Sequence, residues 1–156
     1  MVTRCAGFVI VGDTVTVVDA EVPVDIDQPI KVIADDTWKL QIGERPPAYA
    51  VLYQRCADYV RENRIGLAVV KGSALPTGAA KLGHLTSAEL RGVVMAALAS
   101  ACGVKILSKA VISRTYGDRK VDEYLRDDEF WKEHTEGGKL RKTSREAAML
   151  IVASRN

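Results

Sequence analysis

The chain has 156 residues, 47% of them hydrophobic and 27% charged, a composition that is typical of one folded globular domain and excludes a disordered chain. No apolar run approaches the roughly 20 residues that span a membrane, and no secretion signal is visible, so we expect a cytoplasmic protein without a membrane partner. The net charge of +2 is unevenly distributed, because residues 1–44 carry −5 and residues 45–156 carry +7.

Three strands are predicted at the start of the chain. The apolar run 3–11 has strand length, Gly12-Asp13 is a hairpin turn signal, and residues 14–22 alternate as a half-buried strand does. Residues 29–34 fit a third strand. The chain is therefore expected to open as an antiparallel meander.

Helices and strands alternate in the middle of the chain. A helix is predicted over 47–63 after two prolines, and the continuous apolar run 67–70 predicts a strand that is buried on both faces. A glycine-containing loop leads to a helix that begins at Thr86, whose segment Thr86–Glu89 has the form of a capping box. Gly103 ends that helix, and 104–107 predict another short strand.

The last third is polar until its final helix. Short helices are predicted around 119–126 and 127–134, and a helix that begins at Thr143 with a second capping-box pattern runs to the end. The element order predicts a single α/β domain over 1–156 with a ribonuclease H-like fold. Its mixed five-stranded sheet would combine a three-strand antiparallel meander with two parallel strands, flanked by helices.

Two common kinds of site are excluded by spacing. Gly72 and Gly78 stand too far apart for a Walker A loop and Lys81 is not followed by a hydroxyl residue, so no P-loop is predicted, and no G-x-G-x-x-G dinucleotide motif occurs. The cysteines stand singly and the two histidines lie far apart, which predicts reduced thiols and argues against zinc.

Basic residues cluster near the end of the chain. Lys139, Arg141, Lys142 and Arg145 form a run without an acidic residue, which predicts an anionic partner. The alternative, which the sequence leaves open, is a solvated surface whose charge is balanced by the acidic segment 122–136.

Three segments resemble the RuvC-type Holliday-junction resolvases. Residues 69–99, "VVKGSALPTGAAKLGHLTSAELRGVVMAALA", resemble the middle of that family, where a buried strand ends in a catalytic glutamate and a flexible loop, Leu-Gly and a helix of small residues follow. Residues 5–18 resemble the family's first hairpin, and residues 144–154 resemble its last helix.

The resemblance implies phosphodiester hydrolysis by two divalent ions that four carboxylates hold. The corresponding positions here are Val9 (Phe8 if the register slips by one), Lys71, Arg145 and Ala148, none of which is acidic. We therefore expect these positions to meet in space as a degenerate site with no catalytic residue, no bound metal and no cofactor.

The leading hypothesis is a non-catalytic RuvC-like protein, a pseudo-nuclease that binds nucleic acid or serves as a subunit of a nucleic-acid-processing assembly. The predicted phosphate contacts are Lys71, Lys81, Arg91, Lys139, Arg141, Lys142 and Arg145.

Two other functions remain open. One is a protein-interaction scaffold without nucleic acid, in which a protein partner or a second copy of the chain would contact aromatic anchors. The candidate anchors are Trp38, Tyr49, Tyr53, Phe130 and Trp131. The other is a magnesium-dependent endonuclease with displaced ligands, for which the candidate acids are Asp13, Asp19, Glu21 and Glu146.

Overall fold

The structure, a computed structural model, describes residues 2–138 and 140–156. The strands are β1 (Val2–Val11), β2 (Thr14–Pro23), β3 (Ile30–Lys39), β4 (Leu67–Lys71), β5 (Gly103–Leu107) and β6 (Thr135–Gly137). The helices are α1 (Arg45–Glu62), α2 (Leu82–Ala99), α3 (Lys109–Thr115), α4 (Val121–Arg126), α5 (Asp128–His134) and α6 (Arg145–Ala153), with a 3-10 turn at Lys142–Ser144 before α6.

The strands form one mixed sheet in the order β5-β4-β1-β2-β3-β6. β1, β2 and β3 are the predicted antiparallel meander, and β4 and β5 continue the sheet from β1 in parallel. This is the predicted α/β fold class, with helices on both faces of a mixed sheet.

The two faces of the sheet bury alternate residues of each strand, because successive side chains of a strand point to opposite sides. Phe8 belongs to the core under α1 and α2, whereas its neighbour Val9 belongs to the core under α6. Every residue of α6 from Ala147 to Ala153 is buried, so this helix is the centre of its layer.

Close packing between α6 and β1 requires a glycine. A Cβ atom built on Gly7 would lie 2.0 Å from the carbonyl oxygen of Ala147, a distance that no side chain can occupy. The backbone of α6 therefore rests directly on β1, and this contact places the first turn of α6 beside the end of β1.

The sheet has six strands instead of the predicted five. β6 pairs with the start of β3 in parallel, from Ile30 opposite Thr135 to Val32 opposite Gly137. β3 also continues to Lys39, past the predicted end at residue 34. Both differences concern short or polar stretches, such as Asp35-Asp36-Thr37 in β3, whose alternation of apolar residues is too weak to indicate a strand.

Both predicted capping boxes are wrong. α2 begins four residues before Thr86, and the imidazole of His84 accepts a hydrogen bond from the Lys81 backbone N–H at 3.0 Å. Glu89 instead accepts a hydrogen bond from the Tyr49 hydroxyl at 2.8 Å. α6 begins at Arg145, directly after a 3-10 turn, and it has no side-chain cap.

The helices between β5 and β6 pack a group of aromatic rings against α6. α4 and α5 match the two predicted short helices, whereas α3 was not predicted. Within residues 2–138 and 140–156, no helix is both long enough and apolar enough to cross a bilayer.

Candidate functional site

The carboxyl ends of β1 and β4 meet at one edge of the sheet. These strands are parallel neighbours, and because Phe8 pairs with Val70, Val9 and Lys71 are the next residues of adjacent strands. Val9 lies on the face that α6 covers. The ammonium of Lys71 lies 2.6 Å from Glu146 Oε1, in the first turn of that helix. The structure thus brings Val9, Lys71 and the start of α6 together.

Four alternating charges fill this edge, and we call them the edge network: Lys71, Glu146, Lys109 and Asp122. Glu146 contacts Lys71 at 2.6 Å and Lys109 at 3.5 Å, and Lys109 contacts Asp122 at 2.9 Å. The hydrogen bond to Asp122 raises the pKa of Lys109, and the same bond lowers the pKa of Asp122. The network has two cations and two anions, so the charge of Lys71 is compensated within the protein.

Arg145 and Ala148 are the other two positions of the degenerate site, and both are buried. Arg145 is buried, donates to the Leu125 carbonyl at 3.0 Å and pairs with Asp128 at 2.7 Å. The hydrogen bond from Arg145 lowers the pKa of Asp128. Ala148 is completely buried in the core. Arg145 therefore connects α6 to α4 and α5.

Two of the four residues of the basic run, Arg141 and Arg145, also pair with acids. Arg141 pairs with Asp35 of β3 at 2.7 Å, and Ser144 also donates to that carboxylate. Burial acts to raise the pKa of Asp35, but the hydrogen bonds from Arg141 and Ser144 bring it below its ordinary value. Lys142 is exposed and forms no ion pair with the described residues, while Lys139 lies outside them.

Arg91 of α2 lines a cleft beside Lys71. Its guanidinium donates to the Ser73 hydroxyl at 2.6 Å and to the Ile10 carbonyl at 3.0 Å, and burial lowers its pKa. The cleft has a volume of about 450 Å³ and lies between the ends of β1 and β4, the loop after β4 and the helix α2.

Lys81 lies apart from this cleft. It is exposed at the beginning of α2 and lines a neighbouring cavity of about 680 Å³, together with residues 74–79 of the loop and His84. Six of the seven predicted phosphate contacts lie among the described residues. Lys71 and Arg91 line one cleft, Lys81 lines the adjacent cavity, and the start of α6 is surrounded by Arg141, Lys142 and Arg145.

The residues at the edge do not fit a pair of divalent ions. Metal ions such as magnesium need several oxygen ligands, and Glu146 is already held by two lysines. In the part of the chain that the structure describes, no group of three or more His, Cys, Asp or Glu side chains could hold a metal ion.

Two of the displaced acids that the sequence suggested, Asp13 and Asp19, have other contacts. Asp19 is completely buried and accepts hydrogen bonds from Arg4 and from the Tyr59 hydroxyl, the latter at 3.0 Å. Burial next to Asp19 raises the pKa of Tyr59. Asp13 lies in the hairpin turn, 4.0 Å from Lys39. Asp13 and Asp19 are thus held at separate places by their own basic or hydroxyl partners.

Most of the candidate aromatic anchors are core residues. Trp38, Phe130 and Trp131 are buried, and the Tyr49 hydroxyl is bonded to Glu89. Tyr53 is partly exposed on α1. The aromatic side chains therefore provide little accessible surface for a partner.

Sequence reasoning missed two members of the edge network, Lys109 and Asp122. Glu146 was considered only as a helix cap or a displaced metal ligand, and not as the partner of Lys71. A usable signal existed for Lys109, because it follows the end of β5 by two residues and β5 is the parallel neighbour of β4. The carboxyl ends of parallel neighbouring strands lie at the same edge of a sheet. Ligand sites of such sheets also lie at that edge.

Comparison with known proteins identifies the fold. No known family profile matches the sequence, and no curated protein matches it. Among solved structures, Thermus thermophilus RuvC superimposes with a TM-score of 0.71 at 11% identity, over 97% of this chain and 92% of that one.

Two further structures agree. T. thermophilus RuvC in complex with Holliday junction substrate gives a TM-score of 0.68 at 10% identity, over 97% of this chain and 91% of that one. The yeast mitochondrial Holliday junction resolvase Ydc2 gives 0.61 at 12% identity, over 98% of this chain and 79% of that one. Together with the strand order and the position of α6, these likenesses show that the chain has a RuvC-like fold.

Proposed function

We propose that the protein binds nucleic acid through phosphate contacts at the carboxyl edge of its sheet and does not hydrolyse it. The observation that carries the proposal is the pair of cations, Lys71 and Arg91, that line one cleft at this edge of a RuvC-like fold. One of the similar structures is a complex with a Holliday junction, which supports nucleic acid as the ligand class.

Electrostatics supports binding without cleavage. Two unit charges at 4 Å interact by about 4 kcal/mol at an effective dielectric near 20. A lysine at the end of β4 therefore repels a divalent cation about as strongly as a glutamate at the same position would attract it. The same lysine favours phosphate. Glu146 competes for it, so a phosphate group that binds Lys71 must displace or share that carboxylate.

The exposed cations Lys81 and Lys142 would extend the contact surface on either side of the cleft. Lys139 remains a proposed contact. Arg141 and Arg145 are proposed as weaker contacts, because each would have to exchange a carboxylate partner for phosphate. A role as a subunit of a larger assembly is compatible with this surface, and three unpaired cysteine thiols fit a reducing, cytoplasmic location.

Binding assays over a range of salt concentrations test the proposal. Affinity for duplex DNA should decrease by roughly 0.9 log units per tenfold increase in salt for each phosphate contacted. The double variant Lys81→Ala/Lys142→Ala should reduce that slope, while Lys132→Ala, which removes an exposed lysine on α5, should leave it unchanged.

Two results would contradict the proposal. The absence of binding to DNA and RNA at low salt would favour a scaffold that uses protein partners alone. Magnesium- or manganese-dependent cleavage that persists through purification and is abolished in Glu146→Gln would show a working metal site.

A further inference from the structure

The cleft between the ends of β1 and β4 and the helix α2, called the edge cleft below, has one buried arginine, Arg91, which pairs with no acidic side chain among the described residues. Arg91 is only 9% exposed, and the groups that it contacts, the Ser73 hydroxyl and the Ile10 carbonyl, are neutral. Its Nε is buried without any hydrogen-bond partner among the described residues. A buried guanidinium is ordinarily paired with a carboxylate, as the buried Arg145 is with Asp128 in this protein. Arg91 thus leaves a positive charge uncompensated beside the cleft.

The second cation of the cleft has only a shared partner. Lys71 is 22% exposed and contacts Glu146, which also contacts Lys109. Because the edge network is neutral as a whole, the excess of positive charge at this end of the cleft comes from Arg91. An anionic group of the ligand would be attracted there, and Lys71 could approach it by sharing Glu146 with Lys109.

The rest of the cleft is apolar. Ile10, Val11, Leu75, Pro76 and Leu85 contribute to its walls. Three of these side chains are unusually exposed for their type: Leu75 by 95%, Val11 by 65% and Leu85 by 62%. An inorganic anion or a carboxylate would not cover such walls, whereas a planar, weakly polar group attached to the anion would.

The volume limits the size of that group. About 450 Å³ falls within the range of pockets for small molecules and cofactors. A base that is paired and stacked inside a duplex cannot enter a cleft of this size, but one nucleotide that is extruded or unpaired can do so.

From these observations we propose that the cleft binds one unpaired nucleotide of a nucleic-acid strand, with its phosphate on Arg91 and Lys71 and its base against Leu75 and Leu85. The inference rests on the proposed nucleic-acid function and adds a preference among nucleic acids. The protein should bind strands with unpaired nucleotides more tightly than a fully paired duplex, and the base itself should contribute.

Three DNA probes of one sequence test this: a fully paired duplex, the same duplex with a short gap that leaves nucleotides unpaired, and the gapped duplex whose unpaired nucleotides lack bases. Fluorescence anisotropy at constant salt gives the affinities. We expect the gapped probe to bind about tenfold more tightly than the other two, as expected if one base covers partly exposed apolar walls. Adenosine monophosphate, added as a competitor, distinguishes a strand nucleotide from a free one.

Variants assign the preference to the cleft. Leu75→Ser should remove most of the preference for the gapped probe, and Ile42→Ser is the matched control, because Ile42 is 99% exposed and does not line the cleft. Arg91→Gln should weaken the gapped and the base-free probe alike. If Arg91→Gln melts far below the unmodified protein, the comparison of Leu75→Ser with Ile42→Ser decides whether the preference belongs to the cleft.

Each outcome has a defined meaning. Equal affinity for the three probes, or a preference that survives Leu75→Ser, would overturn the inference and leave nucleic-acid binding intact. Tight binding of the free nucleotide without binding of any strand would overturn both. No binding at all at low salt would contradict the proposed function itself.

Discussion

The edge network gives a quantitative prediction for Glu146→Gln. Exposed ion pairs contribute roughly 0.2–1 kcal/mol, while removing one partner of a fully buried pair costs about 3–5 kcal/mol. The side chains of Lys71 and Glu146 are 22% and 20% exposed, and Lys109 is a second cation at 3.5 Å. An intermediate loss of about 2 kcal/mol is therefore expected, which corresponds to a decrease in Tm of roughly 4–8 °C for a domain of this size.

Thermal unfolding followed by circular dichroism measures this loss. Glu129→Gln is the matched control, because it neutralises the carboxylate of the Glu129–Lys132 pair, whose side chains are 75% and 72% exposed. Its Tm should change little. A double-mutant cycle with Lys71→Met should give a coupling energy of about 1–2 kcal/mol between Lys71 and Glu146.

The same variant should act on binding in the opposite direction. Glu146→Gln removes the carboxylate that Lys71 and Lys109 share. Lys109 keeps Asp122 as a partner at 2.9 Å, so Lys71 is the lysine that becomes available to phosphate. Affinity for DNA at low salt should increase, and the salt dependence should steepen by roughly 0.9 for each lysine that gains a phosphate. This account of the network would be refuted if Glu146→Gln were as stable as Glu129→Gln. It would also be refuted if Glu146→Gln bound DNA more weakly than the unmodified protein.

Three other perturbations follow from the structure. Gly7→Ala should abolish folding or lower the Tm severely, because the new methyl group would overlap the Ala147 carbonyl, and a Tm near that of the unmodified protein would contradict the packing. Because the folded-state pKa of Asp35 is lowered, its contribution is present above the ordinary aspartate range and is lost as pH falls through the folded pKa. Asp35→Asn should thus be less stable than the unmodified protein at neutral pH but similar to it in acid, as urea unfolding over pH can measure. Exchange of EDTA for millimolar magnesium should leave the Tm unchanged, since a bound ion would raise it.

Local patterns predicted much of the fold. The hairpin of β1 and β2 and the buried strand β4 follow from apolar periodicity and turn residues, and those signals lie within a few residues of the structure that they specify. The location of Lys71 at a strand end followed from the same reasoning. The missed β6 and the long β3 depend on pairing with distant segments, which short polar stretches do not reveal.

The composition determined how many charges the protein carries, and the sequence by itself determined that Val9, Lys71, Arg145 and Ala148 are not acids. Only the tertiary structure decided which of the charges are compensated. Whether Arg145 meets Asp128, and whether Arg91 meets no acid, depends on the rotation of each helix about its axis and on how closely it rests on the sheet. Ion pairing acts over a few ångströms between residues far apart in the chain, so it is a property of the packed fold and not of the residue order.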